Sequence, residues 1–319
     1  MRYDKRSRDR ARKIKRARVT ILFIITAVFV IGGSIIMAQK FAEGKQAVQA
    51  AEVVDEQKNS NSNDQNKTTD KNVSSSNQSK QSSENGYTED VAFVEKYLAE
   101  QMKGIMPEGA DGKKIVYLTF DDGPSETVTP SVLDTLKAEN VHATFFVVGK
   151  NVDESETNKN LLKRELAEGN EIGNHTYSHN YNYLYPKNII NVNNIMADIE
   201  KTNQLLKNVL GQDFSTRAIR FPGGHMTWAK KDAKGMEAMD KALADKDYHQ
   251  VDWNSLSKDA EGPHKNAAQL KQEVINTMGN KQKLIILMHD TYGREETAKA
   301  LPEIIKYLKD QGYEFKTLK

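Results

Sequence analysis

From residue 113 to the end of the chain, short apolar runs alternate with longer amphipathic segments, and no other feature limits the fold as much. The runs lie at 115–120, 143–148, 171–173, 218–221, 248–253, 284–288 and 313–317. They are too short for helices and read as buried strands. Between them, residues 130–139, 158–168, 188–210, 267–278 and 294–309 carry apolar side chains at helical spacing. Repeated strand–helix alternation predicts an α/β fold with a parallel sheet. Seven strands suit an open sheet or a small barrel, and the pattern alone does not choose between them.

Ahead of this region the composition changes three times. Residues 1–18 hold ten Lys/Arg against Asp4 and Asp9. Residues 19–38 contain no charge and, as a helix, reach about 30 Å, the thickness of a bilayer core. Basic residues on one side only predict a transmembrane anchor with a cytoplasmic N-terminus and an exported remainder. Neither Ile36/Ala38 nor Lys40/Ala42 makes a small-residue cleavage pair, so 19–38 is expected to stay attached rather than leave as a signal peptide. Residues 39–86 are rich in Ser, Asn, Gln and Lys and read as a disordered tether. Residues 87–112 are expected to form a short helical lead-in, with Val91, Phe93, Val94, Tyr97 and Leu98 at roughly helical spacing, and 113–319 the main folded domain. The whole chain carries +2, so with +8 in the first 18 residues the rest is net acidic. That argues against a phosphate-neutralising surface, and no nucleic-acid partner is expected. The chain has no cysteine, which excludes disulfides and thiolate chemistry.

The residues able to carry chemistry sit directly after the expected strands. Asp121 and Asp122 follow the first, in Thr119-Phe120-Asp121-Asp122-Gly123-Pro124. At a strand-to-loop bend both can face one cavity, where they repel unless a cation or an Arg lies between them. His175 and His179 follow the third strand at H-x₃-H spacing, which would align both imidazoles on one face of a helical turn. Two neutral His and one Asp suit Zn²⁺ or another first-row divalent ion with positions left open. Arg220 precedes Phe221-Pro222-Gly223-Gly224, where it can hold a carboxylate in a bidentate pair while the glycines let backbone N–H groups approach a ligand. Asp252, Trp253 and Asp259 follow the fifth strand. His289 ends the sixth and is a general-acid candidate. In barrels and open α/β sheets, this carboxyl-terminal rim is where sites are built.

Thr119–Pro124, H-x₃-H, R-x-P-x-G and L-x-H, in this order, resemble the polysaccharide deacetylase (NodB-homology) family of carbohydrate esterases, over residues 113–319. The resemblance implies a distorted seven-stranded (β/α) barrel. It implies Asp121 as catalytic base, Asp122, His175 and His179 as ligands of a divalent ion, and Arg220 as the residue that aims the base. Further implied are His289 as acid, Asp259 as the carboxylate that tunes it, Leu287 in the acetyl pocket and the Gly223 N–H at the oxyanion. The expected ion is Zn²⁺, with Co²⁺ or another first-row ion open. Two positions depart from the family pattern. Gly223 stands where an aromatic is common, and Ala260 where a Trp usually follows the Asp. Trp253 and Trp228 are candidates to supply the missing aromatic surface.

The expected activity is removal of N-acetyl groups from cell-wall glycan, peptidoglycan N-acetylglucosamine in the first instance, by a monomer held at the membrane with its catalytic domain outside, in a Gram-positive-type envelope. The alternatives are hydrolysis of O-acetyl esters on a polymer such as xylan, or a non-catalytic glycan-binding surface protein.

Overall fold

A computed structural model describes residues 86–319. The basic tail, the apolar span and the linker through residue 85 lie outside the described residues. Among the described residues, no helix is long and apolar enough to cross a membrane.

The chain enters through β1 (Thr88–Glu89) and α1 (Val91–Met102), then β2 (Ile115–Asp121) and α2 (Thr129–Glu139). Next come β3 (Thr144–Val147), α3 (Gly149–Asp153), α4 (Glu156–Ala167), β4 (Glu171–Asn174) and α5 (Tyr181–Leu184). A 3₁₀ turn (Pro186–Asn188) leads to α6 (Val192–Leu210), β5 (Ala218–Ile219), α7 (His225–Lys231), α8 (Ala233–Ala244), β6 (His249–Gln250) and β7 (Ser255–Leu256). The chain ends with α9 (Ala267–Met278), β8 (Lys283–His289), α10 (Glu295–Asp310) and β9 (Glu314–Leu318).

Every strand pairing is parallel. β2 is the axis. One edge pairs with β8 along its whole length, while the other is shared by β9 below and β3 above. From β3 the sheet continues through β4 and β5 to β6, and from β8 to β7. This is an incomplete (β/α) barrel, with no ladder joining β6 to β7. The described residues hold nine strands rather than the expected seven. β1 and β7 have two residues each and, unlike the equally short β5 and β6, lie outside any apolar run of the sequence. β2 and β8 are apolar nearly throughout because helices cover one face and the barrel interior the other.

The lead-in belongs to the barrel. Thr88 and Glu89 pair with Thr317 and Leu318. Val91, Val94 and Leu98 of α1 bury themselves with Ile115, Tyr117, Phe146 and Ile285. Asp90 caps α1 by accepting from Ala92 N and Phe93 N, at 2.8 and 3.1 Å. A larger cluster under α2, α9 and α10 packs the outside of the sheet.

Register sets the site. Asp121 aligns with His289 across one ladder and with Phe146 across the other. Val147 aligns with Asn174, Asn174 with Ile219, and Leu256 with Leu287. Residues 121, 175, 220 and 289 therefore emerge on one rim.

Candidate active site

Asp121 ends β2 and is buried. Asp122 follows at φ +70°, a left-handed step that turns its carboxylate back toward the same cavity. Asp122 Oδ1 faces His175 Nε2 at 3.4 Å and His179 Nε2 at 3.2 Å. Among the described residues, this trio alone combines three His or carboxylate ligand atoms within 4.8 Å of one another.

The two imidazoles do not share a helical turn. Residues 175–179 are a loop in which Thr176 (φ +67°) and His179 (φ +48°) are left-handed, so the H-x₃-H pair is assembled by loop geometry and not by helical periodicity. Side chains fix the loop. Asn174 donates to Ile199 O and Asn203 Oδ1 while accepting from Thr176 N, and Asp198 Oδ2 accepts from both the backbone and hydroxyl of Ser178.

These residues fit a divalent cation. Asp122 Oδ1 is buried and makes no hydrogen bond, a costly state for a carboxylate oxygen unless something positive sits against it. His175 Nδ1 meets the Arg220 carbonyl at 2.7 Å, so Nδ1 donates and Nε2 offers its lone pair to the trio. Burial opposes the Asp122 charge, yet the facing His175 and His179 hold it well below the usual carboxylate range. Burial and the neighbouring His175 push His179 down, toward the neutral form a metal needs. Burial works to lower His175 as well, but Asp121 and Asp122 raise it. A bound cation would take that proton's place.

Arg220 is completely buried and spends every donor nitrogen. Its Nη1 donates to Asp121 Oδ1 at 2.8 Å and to Thr119 Oγ1 at 2.7 Å. Its Nε and Nη2 reach the carbonyls of Val251 and Asp252 at 2.8 and 3.3 Å. The expected bidentate pair is therefore a single-nitrogen contact, because the rest of the fork ties β5 to the chain leaving β6. The guanidinium also lies over the Phe146 ring at 4.0 Å.

Across the rim, His289 Nδ1 contacts Asp259 Oδ1 at 2.8 Å. Asp259 Oδ2 accepts from His289 N and Thr297 Oγ1, each at 2.8 Å. Burial alone would lower the imidazole, but Asp259, with smaller contributions from Asp122 and Asp121, raises it to about 9. Burial likewise opposes the Asp259 charge, and His289 nevertheless holds that carboxyl low. The pair is thus an imidazolium–carboxylate at neutral pH.

A cavity of about 330 Å³ joins these groups, lined by Asp121, Asp122, His175, His179, His289 and Asp259 together with Gly223, Leu287 and Trp253. Nine of the residues singled out in the sequence reach it, and Arg220 stands directly behind it. Trp228 does not. It is 2 % exposed, stacks on Tyr185 at 3.6 Å and donates to Pro222 O, so it braces the Arg turn and adds no wall to the groove. Asp252 turns away and caps α7 by accepting from His225 N and Met226 N. The other histidines are outside: His142 stacks on Tyr87, His225 pairs with Asp240 and His249 with Glu95. Sequence reasoning missed Tyr181, Thr227, Lys258 and Glu261 on the cavity wall. Only Tyr181 left a signal, as an aromatic two residues past His179.

A half-open parallel barrel with a His₂Asp trio, an Arg-held carboxylate and a carboxylate-held imidazolium on one rim defines a metal-dependent hydrolase. Comparison with known proteins agrees: residues 108–244 match the polysaccharide deacetylase family. A peptidoglycan-N-acetylglucosamine deacetylase of Bacillus cereus is 36 % identical over 223 residues, covering 67 % of this chain and 74 % of that protein. The peptidoglycan-N-acetylglucosamine deacetylase PgdA of Listeria monocytogenes is 33 % identical over 225 residues, 70 % of this chain but only 42 % of that longer protein. The solved structure of a Streptococcus mutans CE4 esterase superposes with a TM-score of 0.64 at 36 % identity, covering 73 % of this chain and 93 % of that one. The chain belongs to the polysaccharide deacetylase family of carbohydrate esterases, hydrolases that act on polysaccharide with a divalent metal ion.

Proposed function

We propose that this protein hydrolyses the N-acetyl group of N-acetylglucosamine in peptidoglycan. The observation that carries the reading is the opposition of two differently tuned groups across one cavity. Asp121 is held as an acceptor by Arg220, and His289 is held as a proton donor by Asp259. Hydrolysis of an amide needs such a pair, because water must lose a proton and the amine must gain one before it can leave.

Asp122, His175 and His179 would hold the ion, with zinc expected from a His₂Asp set. When bound, the ion polarises the acetyl carbonyl and makes water more acidic. Asp121 Oδ2, free of the Arg220 bond, accepts the proton of the attacking water. The Gly223 N–H, on a turn at φ +83°, stabilises the oxyanion as the carbonyl carbon becomes tetrahedral. Leu287 gives the acetyl methyl an apolar contact. His289 then passes its proton to the departing nitrogen, and Asp259 keeps the imidazole oriented throughout. The products are acetate and a glucosamine-type sugar.

The substrate assignment draws on the two relatives that bear this activity by name and on the basic and apolar N-terminal segments. We read those segments as a single-pass anchor that leaves the catalytic domain outside the membrane, with the Ser/Asn-rich segment as tether. We read the protein as a monomer. The test is acetate release by the purified protein from N-acetylglucosamine oligomers and from acetylated xylan. It is joined by mass spectrometry of peptidoglycan fragments from cells with and without the protein. Release from the oligomers, and loss of deacetylated fragments in its absence, is the expected result. Activity confined to acetylated xylan would replace this reading with that of an O-acetyl esterase.

A further inference from the structure

Gly223 leaves the Arg turn without a side chain, yet the space above it is not open. A Cβ built at Gly223 would lie 2.9 Å from Tyr181 Oη and 3.3 Å from Trp228 Nε1. Tyr181 comes from α5, past the metal-site loop, and its hydroxyl occupies the volume that a residue-223 side chain would claim. A side chain at residue 223 and Tyr181 in its present position would therefore compete for one volume.

Tyr181 lines the same cavity as Asp121, His179 and Gly223 and keeps 43 % of its surface exposed. It is nevertheless held on three sides. The ring meets His179 edge-on at 5.6 Å, Tyr185 at 5.9 Å and Trp228 at 5.9 Å. Behind it the Tyr185–Trp228 stack is buried and is tied to Pro222 O through the indole N–H. An aromatic ring flanked on three sides and left uncovered on the fourth has less ordering to lose when a ligand arrives. Its hydroxyl makes no hydrogen bond to any described residue. A fixed apolar face with a free phenol matches a pyranose ring, which presents C–H groups on its face and hydroxyls on its edge.

We propose that Tyr181 is a specificity-determining residue of this site: its ring walls the sugar that bears the scissile acetamide, and its hydroxyl donates to that sugar above Gly223. The inference rests on the deacetylase reading. It adds that recognition of the sugar, as distinct from the acetyl group, depends on a side chain outside the Asp, His and Arg motifs.

The experiment compares wild type, Tyr181→Phe and Tyr181→Ala on an N-acetylglucosamine tetramer and on p-nitrophenyl acetate, with metal content measured for each. The ester offers an acetyl group and no sugar. Tyr181→Ala should lower kcat/KM on the tetramer by about thirtyfold or more, the scale of an aromatic–sugar contact plus one hydrogen bond. Most of the loss should fall in KM, with ester hydrolysis within about twofold of wild type and metal content unchanged. Tyr181→Phe, which keeps the ring, should lose about fivefold on the tetramer only. Equal losses on both substrates, or loss of metal, would show that Tyr181 merely supports His179 and overturn the proposal. So would an unchanged tetramer rate in Tyr181→Ala. A wild-type protein that releases no acetate from the tetramer overturns the deacetylase reading and this inference with it, whereas an active wild type beside an unaffected Tyr181→Ala overturns the inference alone.

Discussion

Asp259→Asn separates the tuning of the acid from its presence. In the folded protein His289 titrates at about 9 instead of its ordinary 6.5, chiefly because Asp259 offsets the burial that would otherwise lower it. That rise corresponds to roughly 3 kcal/mol of preference for the imidazolium. An amide at 259 preserves shape but removes the charge, and burial then prevails, so His289 should fall to its ordinary value or below. At pH 8 the wild-type imidazole is about nine-tenths protonated, whereas one titrating near 6.5 is only a few per cent protonated. The variant should therefore lose about thirtyfold in kcat/KM at pH 8 and progressively less toward pH 6. The assay is the pH profile of acetate release, with the alkaline limb expected to move down by two or more units at constant metal content. A profile of unchanged shape, scaled down equally at every pH, would refute the assignment of His289 as a carboxylate-tuned acid. The linkage has a definite sign. Because folding raises this His, the pair's stabilisation is complete below about pH 6.5 and is lost as pH climbs through about 9. The stability gap between wild type and variant should close over that window.

Four other substitutions and metal removal probe the rest of the site and the fold around it. Asp122→Asn and His175→Ala should each reduce bound metal, measured by elemental analysis, from about one equivalent to a small fraction. Chelator treatment of the wild type should abolish activity until zinc or cobalt is returned, and full activity in metal-free protein would refute the ligand set. Arg220→Met leaves Asp121 buried without its partner and should cost about 3–5 kcal/mol in denaturant unfolding, besides activity; a change below about 1 kcal/mol would contradict the buried ion pair. Glu165 of α4 is fully buried with neither carboxylate oxygen hydrogen-bonded, and burial followed by the nearby Asp290 charge raises it well above the usual range. An acid raised by folding becomes destabilising as pH rises past its unfolded value. Glu165→Gln should therefore melt with wild type near pH 4.5 but several degrees higher at pH 8, by calorimetry, and an equal difference at both pH values would refute this.

Much of the architecture was legible because parallel strands buried on both faces must be nearly all apolar. β2 and β8 read plainly from 115–120 and 284–288, and their ends place Asp121 and His289. The helix expected at 267–278 is α9 to the residue, since Asn266 and Gln269 form a capping box and Gly279 stops it. Short elements escaped for the opposite reason. β1, β7 and α5 have two to four residues and, unlike the equally short β5 and β6, no apolar run marks them, so their tertiary surroundings alone make them regular. α8 escaped too, although its apolar positions Met236, Met239 and Leu243 do repeat at helical spacing.

By itself the sequence determined which chemical groups stand on the rim, because strand ends carry their residues wherever the sheet closes. What only the tertiary structure decided is how those groups face one another. Helical spacing suggested that His175 and His179 share a turn, but two left-handed residues and the Asn174 and Asp198 bonds bring them to Asp122 instead. A strand-end Arg suggested a bidentate clamp, but packing divided its nitrogens among four acceptors. The missing aromatic at Gly223 suggested Trp228 or Trp253, and the fold buried the first, kept the second on the wall and placed Tyr181 over the glycine. The reason is common to all three. Which residue ends a strand is a local property of the chain, whereas the contacts it makes depend on loops whose shapes are set by partners distant in sequence.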